Sequence, residues 1–186
     1  EAADRDSPIR ARRYNLIHSY FPNPEAIRRA AALDVVVDTQ PAWYYKDADA
    51  ILTALGEKRM SSFIGLKDWT DGGVVVVINT DHMFGLDPNT ATNPYNPFLT
   101  LFVAVTRKTE SGQLIGPEQR VSREQALAMM TTNAAYMSHD ERKKGSIEVG
   151  KDGDFADFTR HPLDTFAKNV MTIIEGDPYF VYPGHV

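Results

Sequence analysis

The sequence predicts an α/β protein whose strands are parallel and covered on both faces. Three short runs of apolar, mostly β-branched residues occur in the first half of the chain, without the polar alternation of a half-solvated strand. Segments with helical spacing separate these runs, so strands and helices alternate. Such alternation is typical of a barrel or a doubly wound sheet, and both keep functional residues at the carboxyl ends of their strands.

The first strand is predicted in the segment RYNLIHSY, which has a short apolar core and ends near His18. The segment NPEAIRRAAAL then predicts a helix with Asn23 as its N-cap, Pro24 at its first position and Glu25 in its first turn. This strand and helix form the first repeating unit of the predicted fold.

The segment DVVVDTQPAWYY predicts the second strand, which its proline stops. The following KDADAILTALGEKR predicts a helix capped by Asp47 or Asp49, with Gly56 near its end. The strand and helix therefore repeat in the same order.

The segment MSSFIGLKDWTDGG predicts one short strand and a turn of helix. Next, GVVVVINTDHM predicts a buried strand that runs into Asp81 and His82. A carboxylate is unfavourable beside a buried strand unless something at the strand's end requires one. Asp81 is therefore a candidate functional residue.

The second half of the chain differs in character. GLDPNTATNPYNPF is too long for a simple connection and is typical of a loop that covers a site. PFLTLFVAVTRKT and SREQALAMMTTNAAYM predict helices, the second with a capping box formed by Ser122 and Gln125.

The last part of the chain predicts a small β subdomain. From Gly145 onward, glycine turns are flanked by β-forming residues. We therefore expect two parts, one at residues 1–144 and the other at residues 145–186.

Composition excludes several classes of function. With 186 residues, 42% hydrophobic and 24% charged, the chain is typical of a soluble globular protein. Its net charge of −5 disfavours a nucleic-acid partner, and no apolar run approaches the length of a membrane span. Without cysteine, any metal must bind to His, Asp or Glu. A cytoplasmic location is favoured, although composition leaves the compartment open.

His18 and Asp81 follow different strands, so a parallel sheet brings them to the same edge. Imidazole and carboxylate together suit zinc or a similar divalent ion with an open position for water. Such an ion lowers the pKa of its water, and a neighbouring aspartate can take the proton and pass it to a leaving group. The structural alternative makes His18 a core histidine and Asp81 a helix cap or turn residue.

Three further residues are expected to contact a substrate. Gln40 and Trp43 lie just after the second strand, where an indole belongs either to a pocket rim or to the core. His82 follows Asp81 and would point to the opposite side unless the strand has already ended, so a pocket wall is the most that is expected of it. The sequence contains no phosphate-binding glycine loop, no G-x-S-x-G and no H-E-x-x-H, so no other catalytic motif competes.

The order of five segments resembles a known family: LIHSYFPNPEAIRRAAALDVVVDTQPAW, LGEKR, GGVVVVINTDHM, SREQALAMMTTNAAY and GSIEVGKDGDF. It is similar to the C-terminal part of amidohydrolase-superfamily enzymes of amidohydrolase family 3, which includes the N-substituted formamide deformylase-like proteins. The resemblance runs from about Arg13 to Tyr182. Its most specific elements are T-x-N-A-A at residues 131–135 and G-S-I-E-x-G-K at residues 145–151.

The resemblance implies strands 5 to 8 of a distorted (β/α)8 barrel, followed by part of a β-sandwich subdomain. It implies that His18 binds the metal at the end of strand 5, and that Asp81 is ligand and proton shuttle at the end of strand 8. One or two divalent ions, zinc above all, are implied. Trp43 lies near the position where the family often carries a further metal-binding histidine, which favours one ion over two. Asp157 lies where the family has an apolar strand residue.

The function that the resemblance implies is metal-dependent hydrolysis of an amide or N-formyl C–N bond in a small molecule. Four strands cannot close a barrel, so we expect the remaining N-terminal part of the enzyme or a second chain to complete the site. A homo-oligomer is a further possibility. Two alternatives stay open: a non-catalytic homologue that binds a small molecule, favoured by Trp43, and a subunit that completes another chain's barrel.

Overall fold

The computed structural model describes residues 2–87, 90–91, 94–159, 169–174 and 177–181. Its α-helices are α1 (Ala2–Asp6), α2 (Pro24–Ala32), α3 (Pro41–Leu55), α4 (Glu57–Met60), α5 (Leu66–Asp71), α6 (Pro97–Thr106), α7 (Arg123–Met130) and α8 (Thr132–Met137). Its strands are β1 (Asn15–Ile17), β2 (Val36–Thr39), β3 (Val76–Ile78), β4 (Phe155–Phe158), β5 (Asn169–Ile174) and β6 (Asp177–Val181). None of the helices in these ranges is long and apolar enough to cross a membrane.

The three strands of the first half form one parallel sheet in the order β1-β2-β3. Ile17 pairs with Asp38, and Thr39 pairs with Ile78, so the carboxyl ends of all three strands lie at the same edge. The central strand is buried, and Val37 is 0% exposed. The predicted parallel α/β arrangement is confirmed.

The expected strand in MSSFIGL is wrong, because residues 61–64 form turns and β2 pairs directly with β3. Ile64 adopts a left-handed φ of 46°, and its N–H donates to the carbonyl of Tyr20 at 2.6 Å rather than to a strand. Phe63 and Ile64 are both 1% exposed. Their apolar character reflects a buried turn, so the described residues contain three parallel strands instead of the four expected as strands 5 to 8.

The caps of α2 and α3 test the local predictions. Asn23 caps α2, and its side chain accepts a hydrogen bond from the N–H of Ala26 at 2.9 Å, as predicted. The predicted caps of α3 at Asp47 or Asp49 are wrong. This helix begins at Pro41, since proline fits a first helical position where its missing N–H is not needed.

The helices after the long loop pack against the parallel sheet. The predicted capping box of Ser122 and Gln125 is present at the start of α7. The expected single helix divides at Thr131, whose φ of −121° and ψ of −87° interrupt the helical backbone. Asn133 of α8 donates to the carbonyl of Val76 at 2.9 Å, which fixes this helix against β3.

A buried arginine joins two loops beneath the helices. Arg107 ends α6 in a left-handed conformation and is 0% exposed. Its guanidinium donates to the carbonyls of Phe63 at 2.7 Å, Ile64 at 3.0 Å and Ile115 at 3.3 Å, and lies 4.1 Å from the centre of the Tyr44 ring. Burial lowers the pKa of Arg107 to about 10, so the side chain stays charged at neutral pH.

The last three strands form a separate antiparallel sheet in the order β4-β5-β6. Asp157 lies inside β4 opposite Met171, so an acid is accommodated in this exposed strand. The Phe98 ring of α6 contacts the Phe158 ring of β4 edge to face, 5.3 Å between centres. The division into residues 1–144 and 145–186 stays a prediction.

Candidate functional site at the strand ends

Polar side chains collect where the three parallel strands end. His18 follows β1 directly, Gln40 follows β2, and Asn79 and Asp81 follow β3. Asp38 is the one acidic residue within the three strands and lies next to the end of β2. We call these five residues the strand-end site.

The backbone holds His18 firmly although its side chain is exposed. His18 and Ser19 adopt φ angles of 69° and 46°, so the chain turns sharply after β1. The N–H of His18 donates to the carbonyl of Asp38 at 2.8 Å, and its own carbonyl accepts from the Thr39 hydroxyl at 2.5 Å. Within the described residues His18 is thus exposed at the strand end, which favours the site role over that of a core histidine.

Gln40 fixes the tautomer of the His18 ring. The Nδ1 atom of His18 lies 2.7 Å from Oε1 of Gln40, and an amide oxygen can only accept a hydrogen bond. Nδ1 therefore carries the proton, which leaves the Nε2 lone pair of a neutral ring available to a ligand. Gln40 itself is 1% exposed, and its Nε2 donates to the carbonyl of Asp38 at 3.5 Å.

Asp81 is half-buried in a turn just beyond β3. Its φ of 46° is left-handed, and its N–H donates to Oδ1 of Asn79 at 2.8 Å. A turn is what the structural alternative expected for its backbone. No helix begins in residues 82–87, so a helix-capping role is excluded there.

Asp38 is a candidate functional residue that the sequence reasoning missed. Burial raises the pKa of Asp38, while the hydrogen bond from Asn79 lowers it, the charge of Asp81 raises it and the charge of His18 lowers it. The charges of both candidate metal ligands, His18 and Asp81, therefore affect the pKa of the Asp38 carboxyl group. The available signal was an acid within the apolar run VVVDT, the same signal that identified Asp81.

Tyr20 also contributes to this edge of the sheet. Its ring centre lies 5.6 Å from that of His18. Burial, together with the negative charges of Asp47 and Asp81, raises the pKa of Tyr20 to about 12. The phenol therefore stays protonated near neutral pH and can act as a hydrogen-bond donor.

The remaining predicted substrate contacts have different positions. Trp43 lies on α3 and packs against the core, and its Nε1 is buried without a hydrogen-bond partner in the described residues. The structure thus favours the core alternative for Trp43. His82 is exposed on the loop after β3, and its ring centre lies 4.6 Å from that of Tyr95.

His18 and Asp81 have the chemistry of two ligands of a metal site. His18 presents a free Nε2, and Asp81 supplies a carboxylate at the same edge of the sheet. Within the described ranges, no group of three or more His, Cys, Asp or Glu residues is arranged to hold a metal ion. These residues can therefore provide only part of a ligand set.

Known proteins resemble this chain in sequence and in fold. The aligned part of an N-substituted formamide deformylase of Arthrobacter pascens is 32% identical over 150 residues, which is 80% of this chain and 26% of that protein. A metal-dependent hydrolase of Pyrococcus horikoshii superposes with a TM-score of 0.66 at 22% identity, covering 80% of this chain and 29% of that one.

A zinc-bound adenosine deaminase of Xanthomonas campestris superposes with a TM-score of 0.65 at 17% identity, over 100% of this chain and 40% of that one. At such identities the superpositions show only that the fold is shared. The chain spans about 30% of the length of the curated relatives it matches. Residues 1–180 match the sequence profile of one family, and the predicted resemblance is confirmed: this chain belongs to the amidohydrolase family.

Proposed function

We propose that this chain is part of a metal-dependent hydrolase that cleaves C–N bonds of small amides or N-formyl amines. The observation that carries the proposal is the His18 ring, which Gln40 holds with Nε2 free, at the same strand ends as Asp81. Membership of the amidohydrolase family and superposition on metal-dependent hydrolases support this assignment.

In this proposal His18 binds a divalent ion through Nε2, and Asp81 is both a ligand and the proton carrier. The chemistry that such an ion supplies when bound is Lewis acidity, which polarises an amide carbonyl and lowers the pKa of a coordinated water. Asp81 accepts a proton from the attacking water and delivers it to the nitrogen as the C–N bond breaks. Zinc is the favoured ion, supported by the zinc-bound structural relative.

The substrate class rests on two observations. The relative with 32% identity is named an N-substituted formamide deformylase. The loop after Asp81 exposes three apolar side chains, Met83, Phe84 and Leu86, which are 62%, 63% and 95% exposed. Apolar residues beside the candidate proton carrier suit a substrate whose nitrogen carries a hydrophobic group.

We further propose that the strand-end site is completed by a part of the protein outside this chain. A closed (β/α)8 barrel has roughly 200 to 250 residues, whereas this chain provides three parallel strands in its described residues. The outer strand β1 leaves Leu16 and Ile17 44% and 59% exposed. The parallel sheet is then a part of the barrel, and the antiparallel sheet a part of a small β subdomain.

Substitution Asp81→Asn in the complete enzyme tests the proposal. Turnover of an N-substituted formamide, measured as released formate, should fall by roughly a hundredfold or more, while substrate binding persists. Asp71→Asn is the matched control, since Asp71 pairs with Lys67 on the exposed face of α5 and should leave turnover unchanged. Near-normal turnover of the Asp81→Asn enzyme would contradict the assignment of Asp81 as the proton carrier.

The alternative of a non-catalytic homologue rested on Trp43 in place of a metal ligand. Trp43 packs against the core with its Nε1 buried, so the indole nitrogen is not presented to a bound small molecule in the described residues. Elemental analysis of the purified complete protein separates the two functions. Stoichiometric zinc that His18→Ala removes supports the hydrolase, whereas a metal-free protein that still binds a small amide supports the homologue.

A further inference from the structure

The side chain of Asn79 connects two acidic residues of the strand-end site. Its Nδ2 donates to Oδ1 of Asp38, and its Oδ1 accepts from the N–H of Asp81 at 2.8 Å. The N–H of Asn79 donates to the carbonyl of Thr39 at 3.1 Å, which extends the β2–β3 pairing by one residue. Both ends of the amide are thus used, and its backbone is fixed to the neighbouring strand.

The chemistry of the two partners determines how the amide is oriented. An ionised carboxylate only accepts hydrogen bonds, and a backbone N–H only donates. The amide must therefore direct its nitrogen to Asp38 and its oxygen to Asp81. Because the bond to Asp38 is charge-assisted and half-buried, it is stronger than a bond between neutral groups in water.

From this geometry we propose that Asp38 and Asn79 form a positioning pair for Asp81. The pair holds the backbone of Asp81 in its left-handed turn and thereby sets the direction of its carboxylate. A left-handed φ of 46° is uncommon for any residue other than glycine, so this turn needs support from its surroundings. The proposal rests on the proposed role of Asp81 as proton carrier.

The pair acts through position and not through chemistry of its own. The bond from Asn79 engages one carboxylate oxygen of Asp38, and Asp38 is half-buried. Asn79 contacts Asp81 through the backbone N–H, so its removal changes neither the charge nor the length of the Asp81 side chain. Loss of the pair should therefore lower kcat while leaving substrate affinity nearly unchanged.

Three variants of the complete enzyme test the pair. Asn79→Ala removes both bonds, and Asn79→Asp sets a carboxylate against that of Asp38. The double variant D38N/N79D exchanges the two groups and can rebuild both bonds, with the amide now donating to the carboxylate at position 79. Asn23→Ala is the matched control, because Asn23 makes the same type of side-chain bond to the N–H of Ala26, on the helix that follows β1.

Two readouts are measured for each variant: steady-state turnover of an N-substituted formamide, and hydrogen exchange of the Asp81 amide in the metal-free protein. Asn79→Ala should speed this exchange at least tenfold and lower kcat by roughly 10- to 100-fold, with KM within about twofold. Asn79→Asp should lower kcat by at least as much, and the kcat of the double variant should recover to within about fivefold of the wild-type value. Asn23→Ala should speed exchange in the first turn of α2, including Ala26, and leave both exchange at Asp81 and kcat unchanged.

The proposal is overturned if exchange at Asp81 accelerates while kcat stays within twofold, since the bond is then structural only. It is equally overturned if kcat falls without any change in exchange, or if the double variant recovers no activity. A failure of the proposed function appears elsewhere, as normal turnover in the Asp81→Asn enzyme. If Asn79→Ala does not fold, comparison of Asn79→Asp with the double variant decides the matter.

Discussion

The Nδ1 atom of His18 and Oε1 of Gln40 lie 2.7 Å apart, just beyond the ends of the paired strands β1 and β2. The amide oxygen keeps the proton on Nδ1 and leaves Nε2 as the basic nitrogen. Partners of this kind orient metal-binding histidines and raise their basicity. Gln40 thus has a contact that its sequence position after a strand did not reveal.

We predict that Gln40→Leu in the complete enzyme weakens zinc binding by about 10- to 100-fold, because His18 loses the acceptor that fixes its ring. Gln40→Glu keeps an acceptor and should stay within a fewfold of the wild type. Competition with a chelator measures the affinity. Gln125→Leu, which removes only the capping box of α7, is the control. Unchanged zinc affinity in Gln40→Leu would show that the bond to Gln40 makes no contribution to metal binding by His18.

Arg107 should be important for stability. Arg107→Met leaves the carbonyls of Phe63 and Ile64 without the donor that they have in the structure. We expect a loss of about 2 to 4 kcal/mol in the free energy of unfolding, measured by urea denaturation, because buried unpaired acceptors are unfavourable.

Arg28→Ala provides the comparison for Arg107, since Arg28 forms an exposed ion pair with Glu25. Arg28→Ala should lower the free energy of unfolding by less than about 1 kcal/mol. Equal effects of the two substitutions would mean that the guanidinium of Arg107 contributes little to the buried loops.

Gly116 should not tolerate a side chain. Its φ is +56°, and a Cβ atom added there would lie 2.4 Å from the carbonyl oxygen of Ser61. Gly116→Ala should lower the free energy of unfolding by roughly 2 to 4 kcal/mol, the sum of the left-handed backbone and the clash. Gly112 has a φ of +85° with nothing within 4 Å of an added Cβ.

Gly112→Ala therefore shows the contribution of the left-handed backbone alone and should lower the free energy of unfolding by about 1 kcal/mol. Urea denaturation of both variants gives the difference. If the two substitutions destabilise equally, the turn at Ser61 can move away from the added methyl group.

The ion pair between Arg13 and Glu141 should make stability depend on pH in the acid range. The hydrogen bond from Arg13 lowers the pKa of Glu141 to about 2 from an ordinary 4.5. A lowered pKa means that the ionised carboxylate stabilises the fold above pH 4.5, and that this contribution disappears as the pH falls from 4.5 to 2.

Glu141→Gln should therefore lower Tm at pH 7, and the difference from the wild type should vanish near pH 2. Thermal unfolding at a series of pH values measures this, with Glu57→Gln on α4 as the control. A Tm difference that stays constant across the range would show that Glu141 acts through something other than its charge.

Local signals in the sequence predicted local features of the structure. The caps at Asn23 and Ser122 depend on residues three positions away, and both are present. The buried turn at residues 61–64 was mistaken for a strand, because an apolar run shows that a segment is buried and says little about its backbone. Pro41 was taken to stop a strand, whereas it also begins α3.

The positions of His18 and Asp81 at strand ends followed from the alternation of strands and helices. The alternation did not predict the side chains that contact these two residues, Gln40 and Asn79. Asn79 meets Asp38 only because β2 and β3 pair in one particular register, with Thr39 opposite Ile78. A shift of that register by a single residue would turn Asp38 to the other face of the sheet.

The bonds of the strand-end site close short stretches of chain. His18 and Gln40 are separated by 22 residues, and Asp38 and Asn79 by 41. The bond from Arg13 to Glu141 spans 128 residues. Because a ribosome releases the chain from its amino end, Gln40, Asn79 and Asp38 have emerged before Glu141 is synthesised. The arrangement of these side chains can thus form early in biosynthesis, before the bond between Arg13 and Glu141 can close.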